Sequence, residues 1–136
     1  MLAPGFDPAF YCGKRVFVTG HTGFKGAWLC RILQKYGAVV TGFSTEPPTT
    51  PSLFETAKVA EGMTSVIGDI RDFDALYAAF SAAQPEIVLH LAAQPIVRES
   101  YRAPVYTYET NVMGTVHILE CVRKTDCVLL SERDHR

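Results

Sequence analysis

A turn built on three glycines constrains this chain more than any other feature. Thr19-Gly20-His21-Thr22-Gly23-Phe24-Lys25-Gly26 has the spacing G-x-x-G-x-x-G. The segment before it, Arg15-Val16-Phe17-Val18-Thr19-Gly20, is apolar and β-branched and reads as a buried strand. Residues 23–36, after it, switch to helical period. Strand, glycine turn and helix in that order suit a dinucleotide. Gly20 permits the sharp turn, Gly23 removes a side chain where backbone meets a pyrophosphate, and Gly26 lets the helix lie close on the sheet. The helix N-terminus adds N–H groups and roughly half a positive charge toward the phosphates. The competing reading is a tight turn with no ligand. Lys25 either adds charge near the phosphates or stands in solvent, and His21 is expected to contribute its backbone more than its ring.

The rest of the chain alternates in the same way. Leu29, Leu33 and Tyr36 are expected on the buried face of the first helix, with Gly37 just past its end. Val39–Phe43 reads as a second strand, and the three prolines between Thr45 and Ser52 make a loop. Thr64–Ile67 is a third strand. Asp72 can cap a helix whose Phe73, Leu76, Tyr77 and Phe80 share one face, and Gln84-Pro85 ends it. Ile87–Leu91 is a fourth strand, apolar enough to be covered on both faces. Residues 94–103 read as a loop, after which Pro104 opens a long helix to about residue 123, with Val112, Val116 and Leu119 as its buried stripe. Cys127–Leu130 is the expected fifth strand. This alternation predicts an α/β fold, a doubly wound parallel sheet of Rossmann type, with its ligand crevice at the carboxyl ends of the strands.

Composition removes other classes. The chain has 136 residues, 13 Lys+Arg against 14 Asp+Glu, and a net charge of −1, so neither nucleic acid nor an anionic membrane finds a basic footprint. The longest apolar runs are far short of a bilayer span, and residues 1–10 show no signal-peptide pattern, which predicts a cytoplasmic protein. Cys12, Cys30, Cys121 and Cys127 form no C-x2-C pair, and His21, His90, His117 and His135 are scattered, so no metal site is expected.

Two further positions bear on the cofactor. A carboxylate at the end of the second strand takes the ribose hydroxyls of NAD, whereas an arginine there accommodates the phosphate of NADP. Here the strand ends Gly42-Phe43-Ser44-Thr45-Glu46. No Arg or Lys is nearby, which favours NAD, although Glu46 stands one or two positions late. Asp69, after the third strand, either hydrogen-bonds the adenine amino group or caps the next helix.

Taken together, Thr19-Gly20-x-x-Gly23-Phe24-x-Gly26, Gly68-Asp69-Ile70-Arg71-Asp72, His90-Leu91-Ala92-Ala93 and Asn111-Val112-Met113-Gly114-Thr115 resemble the extended short-chain dehydrogenase/reductases, the NAD-dependent epimerases and dehydratases. Gly20 through Leu29, Pro51-Ser52-Leu53-Phe54-Glu55 and Ala92-Ala93-Gln94-Pro95-x-Val97-Arg98-x-Ser100-Tyr101 are similar to the CDP-glucose 4,6-dehydratases within that group. The resemblance covers residues 6–124. It implies a lyase that keeps NAD bound. C4 of the sugar gives a hydride to NAD, water leaves across C5–C6, and the hydride returns at C6, converting CDP-glucose to CDP-4-keto-6-deoxy-glucose, a precursor for polysaccharide biosynthesis. It also implies site residues: Gly20, His21, Thr22, Gly23, Phe24, Lys25 and Gly26 at the pyrophosphate, Ser44 at the end of the second strand, Asp69 and Ile70 beside the adenine, and Leu91, Ala92 and Ala93 along the nicotinamide ribose. Gln94, Arg98 and Ser100 would face the sugar nucleotide. Asn111 would support the active-site proton relay, its plainer reading being a polar residue on a helix face. Complete members of the family are implied to be homodimers through long helices, of which 104–123 would be one.

The resemblance also implies a Tyr-x-x-x-Lys pair after the fifth strand, where the lysine lowers the tyrosine pKa. These residues contain none; Tyr11-Cys12-Gly13-Lys14 has the wrong spacing. The expected organisation is therefore an extension over 1–13, an incomplete NAD-binding domain over 14–130, a divergent tail over 131–136, and no substrate domain. Such a fragment is expected to be inactive alone. The alternatives are a related epimerase or reductase, or a dinucleotide-binding module with no catalytic step.

Overall fold

The computed structural model describes residue 5, residues 7–128 and residues 130–133; Leu129 and residues 134–136 of the expected tail, and residues 1–4 and 6 of the expected extension, lie outside the described residues. Five parallel strands form one sheet: β1 (Arg15–Thr19), β2 (Val39–Ser44), β3 (Thr64–Ile67), β4 (Ile87–His90) and β5 (Leu130–Arg133), in the spatial order β3-β2-β1-β4-β5. Consecutive strands run outward from β1 in both directions. The doubly wound sheet is thus as expected, and its switch point lies between β1 and β4.

Alternation along β1 explains why both faces are covered. Val16 and Val18 point into a cluster with Ala27, Cys30 and Leu33 of helix α1 (Phe24–Lys35). Phe17 points the other way, among Phe43, Leu76, Phe80, Val88 and Ile118. Phe17 and Phe80 meet at 5.0 Å between ring centroids. Each such fully buried side chain contributes roughly 1.5–3 kcal/mol, against 0–1 for an exposed ion pair such as Arg15–Glu86. Apolar layers, not surface charges, hold the crevice open at the strand ends.

The remaining helices are short α2 (Leu53–Thr56), α3 (Phe73–Ala83), α4 (Val97–Arg102), α5 (Pro104–Tyr108) and α6 (Gly114–Arg123), with a π-helical segment, Glu109–Met113, joining the last two. Asp72 caps α3 by accepting a hydrogen bond from the Ala75 N–H, and Gln84 ends it in the left-handed region at φ 44°. The side chain of Asp69 does not cap that helix.

Several expectations need correction. The buried face of α1 is Gly26, Ala27, Cys30 and Leu33, one residue out of phase with Leu29 and Tyr36, which are only partly buried. Residues 94–103 are not all loop, since Val97–Arg102 forms α4. The long helix is interrupted by the π segment, whose wider turn rotates α6 relative to α5. Val112, Val116 and Leu119 consequently face outward, while Thr110, Gly114, Ile118 and Cys121 face the sheet. The fifth strand is Leu130–Arg133, three residues later than expected, because Leu130 pairs with Ile87 and Arg133 with His90. Residues 131–133, expected in a divergent tail, are thereby part of the sheet.

Candidate functional site

The carboxyl ends of β1, β2, β3 and β4 open on one cavity of about 560 Å³. The glycine turn supplies its floor. Gly20 has φ +78°, and a Cβ there would come within 2.8 Å of the Ala92 nitrogen, so the turn lies directly on the β4 loop. A Cβ on Gly26 would fall 2.1 Å from the Gly20 carbonyl oxygen, which is why α1 can start so close to the turn. Gly23, the N-cap of α1, provides no side chain to cap the helix, and its Cβ direction meets only the Gly20 oxygen at 3.4 Å. The space an anion needs is therefore left at the end of a twelve-residue helix.

Of the residues expected at the cofactor, Gly20, Thr22, Gly23, Phe24, Lys25, Gly26, Ser44, Asp69, Ile70, Leu91, Ala92 and Ala93 all line this cavity. His21 does not. Its ring is fully buried beneath the turn, with Nε2 2.7 Å from the Ser65 Oγ and its edge against Phe54 at 5.3 Å. The ring occupies the place where a Cβ on Gly42 would lie 2.3 Å from its Cγ. The histidine thus ties the turn to β2 and β3 through its ring, whereas the sequence pointed mainly to its backbone.

Burial pushes the His21 pKa down to about 4. In the unfolded chain a histidine titrates near 6.5, so between these values the unfolded state binds more protons than the native one. Stability accordingly falls as pH drops through that window, by about 3 kcal/mol once the pH is below both values. Urea midpoints measured from about pH 7 to about pH 4 should show this slope, and His21→Asn should flatten it. An equal slope in both proteins would contradict the assignment.

At the end of β2, the Thr22 hydroxyl donates to the Thr45 carbonyl at 2.8 Å and lies 2.9 Å from the Ser44 Oγ, so the Ser44 hydroxyl is the donor of that pair. Glu46 does not line the cavity. After β3, Asp69 is held by the Arg71 guanidinium, with Nη2 to Oδ2 at 2.8 Å, and this hydrogen-bonded partner keeps its carboxyl below the usual range. Arg71 also reaches Glu109 at 3.1 Å and stacks over Tyr106 at 4.7 Å, bridging the β3 turn to the helical side of the cavity. Ile70 is fixed from α6: its carbonyl is 2.8 Å from the His117 Nδ1, and Gly114 leaves room for its side chain.

The Asn111 side chain is committed to backbone. Its Oδ1 accepts from the Gln94 N–H at 2.7 Å and its Nδ2 donates to the Gln94 carbonyl at 3.1 Å. This pins the loop after β4 to the π segment, where Asn111 is a polar residue on a helix face engaged with backbone. Gln94 lines the cavity, but its own amide is spent on Ile96 and Thr107. Arg98 and Ser100, on α4, do not line it, and the Ser100 hydroxyl donates to the Val97 carbonyl.

The wall also holds residues not expected at the site from the sequence, two of them on the helical side. Tyr106 and Thr110 face the cavity from the helical side. Thr110 is 7% exposed, and its buried Oγ1 has no hydrogen-bond partner among the described residues. A buried hydroxyl left unpaired costs about 1–3 kcal/mol, which makes Thr110 a candidate partner for a polar group at this wall. Its signal in the sequence was only the four-residue step to Gly114 and Ile118 on the sheet-facing side.

Known proteins share this arrangement of chain and crevice. Residues 17–132 match the family described as GDP-mannose 4,6 dehydratase. The chain is 57% identical over 118 residues to the CDP-glucose 4,6-dehydratase of Salmonella typhimurium, covering 87% of this chain and 33% of that protein. Among solved structures, it is similar to a UDP-glucose 4-epimerase from Stenotrophomonas maltophila with bound NAD and formylated UDP-arabinopyranose, at a TM-score of 0.76 and 27% identity, covering 88% of this chain and 36% of that one. It is also similar to the UDP-glucose 4-epimerase of Brucella ovis in complex with NAD, at a TM-score of 0.70 and 27% identity, covering 85% of this chain and 34% of that one. The chain spans about a third of the length of these relatives.

Proposed function

The chain belongs to the GDP-mannose 4,6-dehydratase family, and from that premise we propose that it is the NAD-binding portion of a nucleotide-sugar dehydratase acting on CDP-glucose. The observation that carries this reading is the convergence on one cavity of the glycine turn, Asp69 and Ile70, Leu91 to Ala93, and the unpaired Thr110 hydroxyl. The donor set suits a dinucleotide: an uncapped helix end for the pyrophosphate, a carboxylate beside Ile70 for the adenine, and backbone along the β4 loop for the second ribose. NAD bound there would supply a reversible hydride acceptor. The chain's own residues bind and orient it; Asn111 holds the Gln94 turn that borders the sugar-nucleotide side.

These residues carry no Tyr-x-x-x-Lys, so this chain alone binds cofactor without turnover. The choice of NAD over NADP rests on the end of β2, where Ser44 and Thr45 line the cavity and no arginine does. Parallel calorimetric titrations should give tighter binding for NAD; equal or tighter binding of NADP would overturn the cofactor assignment.

The outward stripe of the last helices fits a homodimer. Val105, Tyr108, Val112, Val116 and Leu119 are each about half exposed or more and follow heptad-like spacing. Size exclusion should show concentration-dependent association, and Val116→Lys should shift the chain to its monomer volume. A monomer at every concentration would contradict this.

A further inference from the structure

His90 closes β4 and is 4% exposed, yet the site described above makes no use of it. Its two ring nitrogens face two hydroxyls. Nδ1 lies 2.6 Å from the Thr19 Oγ1, and Nε2 lies 3.2 Å from the Thr115 Oγ1. The direction of both contacts is set by where the hydroxyl protons go. Thr115 donates its proton to the Asn111 carbonyl at 2.7 Å, so toward His90 it can only accept. The Thr19 Oγ1 already accepts from the Leu91 and Ala92 N–H groups, each at 3.1 Å, so its proton points at Nδ1. The imidazole is thus neutral, with its proton on Nε2.

One directed chain therefore runs from the Leu91 and Ala92 amides through Thr19, His90 and Thr115 to the Asn111 carbonyl. The Asn111 side chain then grips both backbone groups of Gln94, closing a ring around the turn from Leu91 to Gln94. That turn lines the cavity, as does Thr110, the neighbour of Asn111. We propose that His90 is a positioning residue for the dinucleotide site: locked as the Nε2–H tautomer, it sets the spacing between the β4 turn and the π-helical segment, and so between the backbone and hydroxyl groups that meet the ligand from opposite walls. The proposal rests on the reading of this cavity as a dinucleotide site. A side chain that only filled space would need neither a fixed tautomer nor an acceptor at Nε2.

Long-range ¹H–¹⁵N correlation spectra of the full chain report the tautomer directly, with His90 assigned through its backbone. The Nε2–H form is expected; the Nδ1–H form or a mixture of the two would overturn the proposal, whatever the cofactor result. Thr115→Val removes the acceptor and Thr115→Ser keeps it. Relative to wild type, NAD affinity measured by calorimetry should fall about ten-fold in the valine variant and stay within about three-fold in the serine variant. Unchanged affinity in Thr115→Val, with wild type binding NAD, would overturn the proposal alone. Wild type that binds no NAD would overturn the dinucleotide reading and the positioning role with it, while the spectra would still report the tautomer. If Thr115→Val does not fold, the wild-type tautomer decides.

Discussion

Gly26→Ala is expected to abolish measurable NAD binding and to lower folding stability by about 1–3 kcal/mol. The new methyl group would lie 2.1 Å from the Gly20 carbonyl oxygen and 2.7 Å from its carbon. Both are backbone atoms in a turn that is itself pressed against Ala92, so no rotamer change relieves the overlap. Helix α1 must move off the turn, taking its N-terminal N–H groups from the phosphate position. Gly23→Ala separates ligand from fold. Its Cβ meets only the Gly20 oxygen at 3.4 Å, so stability should change by less than about 1 kcal/mol while the methyl group obstructs the anion. Urea denaturation and calorimetry on both variants check this. Full NAD affinity in Gly26→Ala would mean that the turn does not hold the ligand.

The second large effect concerns turnover. With CDP-glucose and NAD supplied, this chain is expected to give no 4-keto product above background, read as absorbance in alkali. Positioned acid–base groups contribute roughly 10²- to 10⁴-fold, and removing an alcohol proton at neutral pH needs one near the sugar. Among the residues bordering the β4 loop, Asn111 and Gln94 are committed to hydrogen bonds and neither is a base near neutral pH. Accumulating product would show that the chain carries its own base and would contradict the division of roles proposed here.

What could be read from the sequence was local. The glycine turn, the four strands it helps order, and the Asp72 cap depend on residues within a few positions of each other, and their spacing survived folding. The long helix was misread because two apolar stripes compete on it. Thr110, Gly114 and Cys121 are smaller or more polar than Val112, Val116 and Leu119, so apolar size points to the outward stripe, with Ile118 alone against it. Contact decided otherwise: Gly114 must face Ile70, where any Cβ would come within 2.8 Å of that side chain, and the π turn supplies the extra rotation. The fifth strand slid for a similar reason, since pairing with Ile87 rather than apolar content fixed its start. In the site, Thr110 and Tyr106 became visible only once α5 and the π segment were placed beside Ile70. The family resemblance implied Arg98 and Ser100 at the sugar side, and in the structure helix α4 places them off the cavity wall.

The central claim is that one cavity at the strand ends takes NAD. Amide chemical-shift mapping of the ¹⁵N-labelled chain during NAD titration tests it most directly. The account predicts saturable shifts at Gly20 to Gly26, at Asp69 and Ile70, at Leu91 to Ala93 and at Thr110. No shifts at millimolar NAD, or shifts confined to residues away from this cavity, would contradict it.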